Sequence, residues 1–239
     1  MKINRVTITG ADNEIYIKDL VDIWVRFPFV EYGILHSDRK IGTLRYPDLK
    51  WLNLIEHFGF NELPLSAHLC GQLAKSVIED GNFDFLNRRK QAYGRFQLNY
   101  NFKYAEKQPK WERMFNWLMD NPKKSIILQV NKSNQEVING LTEHWSMPNI
   151  HFLYDSSGGR GTEISNILTP FKQYTGYAGG INLDNIDAIC KNIDSAFSQC
   201  AVWIDMESGV RVSNHFSPNH VIKILERCLP WVMPESKPA

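Results

Sequence analysis

The chain has 239 residues, 43% hydrophobic and 22% charged, with a formal net charge of +1. That balance gives no argument for nucleic acid or an anionic membrane as partner, and no apolar run approaches the ~20 residues of a membrane-spanning helix. The four cysteines (Cys70, Cys190, Cys200, Cys228) are scattered without zinc-site or disulfide-framework spacing, so free thiols in a reducing cytoplasm are expected, with no metal and no cofactor.

In chain order, Arg5–Thr9 (RVTIT) reads as a strand rather than a signal core. Gly10 and a helix from about Ile15 to Arg26 follow, with Asp12 or Asn13 as its cap. Val30–His36 forms the second strand, then a polar loop and a helix from Pro47 to Phe58 with proline in its first turn. Leu65–Cys70 precedes a helix at Gln72–Glu79 and an extra turn around Phe83–Asn87. Arg95–Tyr100 pairs with a helix at Lys110–Met119, and Ser125–Val130 with a helix at Gln135–Trp145. Ile150–Asp155 leads into a helical segment at Glu163–Leu168, Gly176–Gly179 into Leu183–Asn192, and Ala201–Asp205 into Pro218–Cys228. The Pro-rich tail PWVMPESKPA is expected to be loose at its end.

Eight strand–helix units alternate without a linker or a shift of composition, which implies a parallel sheet. Eight units in this length favour one (β/α)8 barrel domain over an open doubly wound sheet. No GxGxxG follows the first strand, which argues against the open sheet.

Strand side chains alternate in direction, so each run divides into an inner and an outer set. Thr7 and Thr9 then face inward, as do Ser66, His68 and Cys70, Gln97 and Asn99, Gln129 and Asn131, His151, Leu153 and Asp155, and Asp205 below Glu207. The inward position at the C-terminal end of these strands is polar. Buried polar groups are costly without partners, so a ring of them points to a ligand site at the C-terminal face. Around it, residues 150–211 repeat a pattern in which an apolar run ends in small and acidic residues and opens a helix, as glycine-bearing phosphate loops do.

At these residues the chain resembles phosphoribosylanthranilate isomerase. The family's AGGLN motif after strand seven appears as Ala178-Gly179-Gly180-Ile181-Asn182. Its strand-eight Asp followed by SSGVE appears as Asp205-Met206-Glu207-Ser208-Gly209-Val210-Arg211, and its strand-six Asp as Asp155 before Gly158-Gly159-Arg160-Gly161. The strand-four QLHG becomes Gln97-Leu98-Asn99-Tyr100, and Arg39 and Arg45 lie in the loop where the family has a substrate-contacting arginine. The resemblance implies an Amadori rearrangement of a phosphorylated aldosylamine. It makes Asp155 the general acid, which would need a raised pKa, and Gly179, Gly180, Ser208 and Gly209 the phosphate site.

One departure bears on the chemistry. The family's base is a cysteine at the end of strand one, in KICG, where this chain has Thr9 in TITG. A threonine hydroxyl has too high a pKa to stand in for a thiol. Cys70, with His68 on the same face, and Asp12 are the candidate replacements. Thr9, His68, Gln97, Asn99 and Asp205 are expected to contact substrate along with Arg39 and Arg45.

The expectation is a diverged enzyme of this barrel lineage that isomerises a small phosphorylated, phosphoribosyl-like metabolite. The alternatives are an authentic phosphoribosylanthranilate isomerase with a replaced base, and a non-catalytic phospholigand-binding barrel. Trp111, Trp117 and Trp145 fit either helix–barrel packing or an interface, which leaves a homodimer open.

Overall fold

The computed structural model describes residues 3–60, 63–155, 167–196 and 200–233. Eight parallel strands close a barrel in sequential order: β1 (Ile3–Thr9), β2 (Val30–His36), β3 (Leu65–Cys70), β4 (Arg95–Asn99), β5 (Ser125–Val130), β6 (Ile150–Asp155), β7 (Thr175–Ala178) and β8 (Val202–Met206). The ring shuts where β1 pairs with β8 in the register Thr7↔Asp205.

Helices pack outside the strands: α1 (Ile17–Arg26), α2 (Leu49–Phe60), α3 (Gln72–Lys75), α4 (Asp84–Arg89), α5 (Trp111–Asp120), α6 (Gln135–His144), α7 (Ile186–Ala196) and α8 (Pro218–Cys228). Outward residues such as Val6, Ile8, Ile34, Ala67, Phe96, Leu128, Phe152 and Ile204 are buried against helix faces in one large apolar cluster. This layer carries the hydrophobic driving force.

The interior is different. Its only separate apolar cluster among the described residues is Ile127, Leu153 and Trp203, with Tyr174 and Ala178 beside it. Trp203 fits there because β7 presents Gly176, where a Cβ would lie 2.1 Å from the indole. Below this plug, Glu31 accepts hydrogen bonds from Arg95 Nε (3.0 Å), Arg5 Nη1 (3.0 Å) and the Thr7 hydroxyl (3.0 Å). The Arg95 guanidinium lies 4.4 Å from the Trp203 ring centroid, a cation–π contact that roofs the network. Above the plug lies the ring of polar strand ends.

Several local expectations are corrected. Helix α2 begins at Leu49 rather than Pro47, because the Asp48 carboxylate takes the Trp51 amide (2.8 Å) and caps it. Neither Asp12 nor Asn13 caps α1, whose N-cap position is Tyr16, without a side-chain cap. Asn13 is held by Asp48 instead. Helix α3 continues as a π-helical turn, Ser76–Asp80, closed by Gly81 at φ 61°. Asn131 does not face the interior ring; it accepts the Ser133 and Asn134 amides and shapes the turn into α6.

The predicted helix at Glu163–Leu168 lies largely outside the described residues, and Ile167 and Leu168 are not helical. The tail's first residues dock: Val232 is buried, and the Met233 amide donates to the Ile3 carbonyl (2.8 Å). Trp117 is buried against Phe83 and Phe96, Trp111 packs near Phe102, and Trp145 stays 43% exposed beside Phe115. No helix among the described residues is long and apolar enough to cross a membrane.

Candidate active site

The polar strand ends converge on one cavity at the C-terminal face of the barrel. Thr9, His68, Gln97, Asn99, Gln129, Asp155 and Asp205 all line it, with the loops after β7 and β8 as its wall. Strand pairing sets two carboxylates apart in a defined way. Asp155 on β6 aligns with Ala178 on β7, which aligns with Asp205 on β8, so the two acids flank one small residue. Asp155 is 4% exposed and Asp205 7%. Gln129 Nε2 approaches Asp155 Oδ2 at 3.5 Å.

Asp205 carries a raised carboxyl. Its carboxyl is pushed up to about 7, chiefly because burial disfavours the anion; the Thr9 hydrogen bond offsets part of this and nearby Glu207 adds to it. The Thr9 hydroxyl donates to Asp205 Oδ1 at 2.7 Å. His68 lies close by, fully buried, and burial holds its imidazole down to about 3, so it is neutral at physiological pH.

The spacing depends on Gly33 in the middle of β2. A Cβ there would lie 2.2 Å from Thr9 Oγ1 and 2.9 Å from His68 Nε2, so only glycine lets both groups occupy the same hollow. His68 Nε2 and Gln97 Oε1 are buried without a hydrogen-bond partner among the described residues. Unpartnered buried polar atoms are rare and costly in native proteins, and here both belong to residues that line the cavity. The described residues hold no cluster of three or more metal-ligating side chains.

The wall opposite is built for close backbone approach. Gly179 and Gly180 adopt φ 118° and 60°, which favour glycine. The Asn182 and Asn185 side-chain amides both donate to the Gly180 carbonyl, at 3.0 and 2.9 Å, and fix the loop. After β8, Ser208–Val210 form a 3-10 turn in which Gly209 presses on the β7 loop; a Cβ on Gly209 would fall 1.9 Å from the Ile181 carbonyl oxygen. Backbone on both sides cannot yield, so Gly209→Ala is expected to part the two loops. We expect a stability loss of about 1–3 kcal/mol and at least ~10-fold weaker binding of inorganic phosphate by calorimetry. Unchanged phosphate affinity would mean these loops do not form the anion site.

Two residues that depart from the SSGVE pattern, Glu207 and Arg211, are both engaged with the candidate residues of the early loops. Arg45 Nη1 donates to Glu207 Oε1 (2.7 Å) and Ser208 Oγ (3.3 Å), and its Nη2 to Asn214 Oδ1 (2.9 Å). Arg45 thereby neutralises a carboxylate that would otherwise repel an anion beside Ser208. Arg211 pairs with Asp12 (3.1 Å) and donates to the Gly10 carbonyl, and Asp12 also takes the Arg45 amide (2.8 Å).

The structure therefore places Asp12 in a buried ion pair outside the cavity lining. Arg39 is solvent-exposed and also outside it. Cys70 sits behind Asn99, whose amide donates to its sulfur (3.3 Å), and burial raises its thiol, away from the thiolate a base requires. Sequence reasoning passed over Gly33, although a lone glycine inside a strand is a known sign of close approach.

No family model and no curated protein matches the sequence. Solved structures do match its fold. Phosphoribosylanthranilate isomerase from Pyrococcus furiosus aligns over 95% of this chain and 98% of its own, with a TM-score of 0.57 at 16% identity. The Thermus thermophilus enzyme gives 0.57 at 16%, covering 95% and 98%. Monomers of the dimeric Thermotoga maritima enzyme give 0.59 at 14%, covering 95% and 99%. At these identities the likeness establishes a shared (β/α)8 fold.

Proposed function

We propose that this chain is a barrel enzyme that isomerises a small phosphorylated, phosphoribosyl-like metabolite by acid–base chemistry. The observation that carries this reading is the placement of Asp155 and Asp205 on either side of Ala178, in one cavity with Gly179 and Gly180. A phosphate on the glycine wall would position the sugar carbons over both carboxyls, with His68 and Gln97 available to its hydroxyls.

In this reading Asp155 protonates the leaving ring oxygen of an aldosylamine. The ring opens to an iminium ion, and a base removes the proton from the adjacent carbon. The C–H electron pair forms the new C=C bond while the C=N pair returns to nitrogen, and the resulting enolamine relaxes to the ketone. Electron pairs move only within the substrate, and the protons that the acid gives and the base takes balance over the turnover, so no co-reactant is consumed.

The test has two parts. Inorganic phosphate and ribulose 5-phosphate should bind the wild-type protein and compete with one another. With the aldosylamine 5'-phosphoribosylanthranilate or a close analogue as substrate, Asp155→Asn should lower kcat by ~10²-fold or more with little change in KM. Failure of either phosphate compound to bind would remove the reading. Growth of a tryptophan auxotroph lacking phosphoribosylanthranilate isomerase would identify this same chemistry as the authentic pathway reaction.

A further inference from the structure

Strand one ends in a hydroxyl that cannot itself take a proton from carbon near neutral pH. Its donor bond nevertheless points at a carboxylate that can. We infer that Asp205 is the general base of this site, with Thr9 as the residue that positions it.

Four observations carry the inference, which rests on the function proposed above. Asp205 lines the same cavity as Asp155, on the opposite side of β7. Thr9 donates to Oδ1, so one carboxylate oxygen is fixed by a bond that favours the ionised form. Gly33 removes the side chain that would otherwise separate Thr9 from the neutral imidazole of His68. The other candidates are differently engaged: Asp12 by Arg211 and the Arg45 amide, Cys70 by burial and the Asn99 amide.

The groups that set the charge on Asp205 come from every side. Glu207 lies two residues along its own strand end and is balanced by Arg45 from the β2 loop. Glu31 on β2 and Arg95 on β4 act from below with opposite sign. Asp155 on β6 and neutral His68 on β3 share the cavity, and β7 contributes only Ala178. Burial, offset in part by the Thr9 bond and adjusted by Glu207, Arg95 and Glu31, leaves a carboxyl at about 7, near the point where a base combines availability with driving force.

Ribulose 5-phosphate in D2O provides a probe that needs no knowledge of the natural substrate. The Asp205 carboxylate would take a proton from a carbon beside the carbonyl. The C–H pair forms the C=C of an enediolate as the carbonyl pair moves to oxygen, the Asp205 carboxyl exchanges its proton with D2O, and return of the deuteron to carbon re-forms the carbonyl and leaves one C–D in place of one C–H. Proton NMR reads the exchange, and calorimetry reads binding in parallel.

We expect wild-type exchange to rise with pD through about 7 and level off above it. Asp205→Asn should bind the probe yet exchange at least ~10²-fold more slowly. Thr9→Val, which removes the donor but keeps the volume, should move the midpoint of the pD profile upward. Binding without exchange in the wild type, exchange that survives Asp205→Asn, or a profile midpoint indifferent to Thr9→Val would overturn the assignment and leave the binding site standing. Absence of binding would remove the site and the assignment together.

Discussion

Glu31→Gln is expected to destabilise the barrel by about 3–5 kcal/mol, the usual penalty for leaving a buried charge without its partner. Glu31 lies beneath the apolar plug, with side-chain exposure of 3% against 4% for Arg95. Burial by itself raises its carboxyl, and Arg95 and then Arg5 more than reverse that, holding it at about 2. The substitution leaves two guanidinium groups facing one neutral amide. For a chain of this size the melting temperature should fall by on the order of 10 °C.

The pH dependence has a definite sign. A carboxyl held below its ordinary value contributes stability that is complete above that value and is lost as pH falls through the folded one. The step from 4.5 to about 2 corresponds to about 3 kcal/mol, lost between those pH values in the wild type and absent from Glu31→Gln. Chemical denaturation at pH 7 and pH 3 checks both claims. Pairing Glu31→Gln with Arg95→Met should restore much of the loss, because it removes the buried one of the two orphaned charges and leaves only the half-exposed Arg5. A single variant as stable as wild type at pH 7 would show the network to be slack.

Asp205→Asn should have the opposite effect on stability. Its carboxyl is raised from 3.8 to about 7, so the folded state binds an extra proton between those values. Stability therefore falls as pH rises across that window and stays lowered above it. The full penalty is ~4 kcal/mol by linkage, and we expect Asp205→Asn to recover about 2–4 kcal/mol of it at pH 9. Asparagine keeps an acceptor for Thr9, so the hydrogen bond survives the change. Melting curves at pH 4, 7 and 9 should show the variant and wild type together in acid and diverging with rising pH. A constant gap would mean that Asp205 does not titrate in this range. A variant that is more stable yet unable to exchange the probe's proton fits a site that trades stability for function.

Much of this was legible in the chain because a parallel barrel imposes two regular patterns. Apolar residues facing the helices alternate with inward ones, so β2, β3, β5 and β6 could be bounded from sequence to the residue. The inward polar strand ends, from Thr9 to Asp205, marked the cavity for the same reason.

What escaped was whatever depends on distant partners. Nothing local says that Asp12 meets Arg211, 199 residues away, or that Arg45 meets Glu207. Cys70 stood as a candidate base because the Asn99 amide at its sulfur cannot be read from its neighbours in sequence. That burial lifts the Asp205 carboxyl to about 7 could not be read from its neighbours in sequence. Its shift comes chiefly from burial, which the barrel creates only once closed, and is adjusted by Thr9, by Glu207 just past its own strand, and by Arg95 and Glu31 from two others.

The bond between Thr9 and Asp205 joins residues 196 apart, across the seam where the last strand meets the first. Arg211 crosses the same seam to Gly10 and Asp12, and Met233 to Ile3. Contacts of such long range are among the slowest to form during folding. A chain still emerging from synthesis, or cut short before residue 205, lacks this carboxylate and its hydroxyl donor as a pair. On the proposed assignment, proton transfer waits until the two ends of the polypeptide have met, and the titration of a single aspartate near pH 7 becomes a signal that the ring has closed.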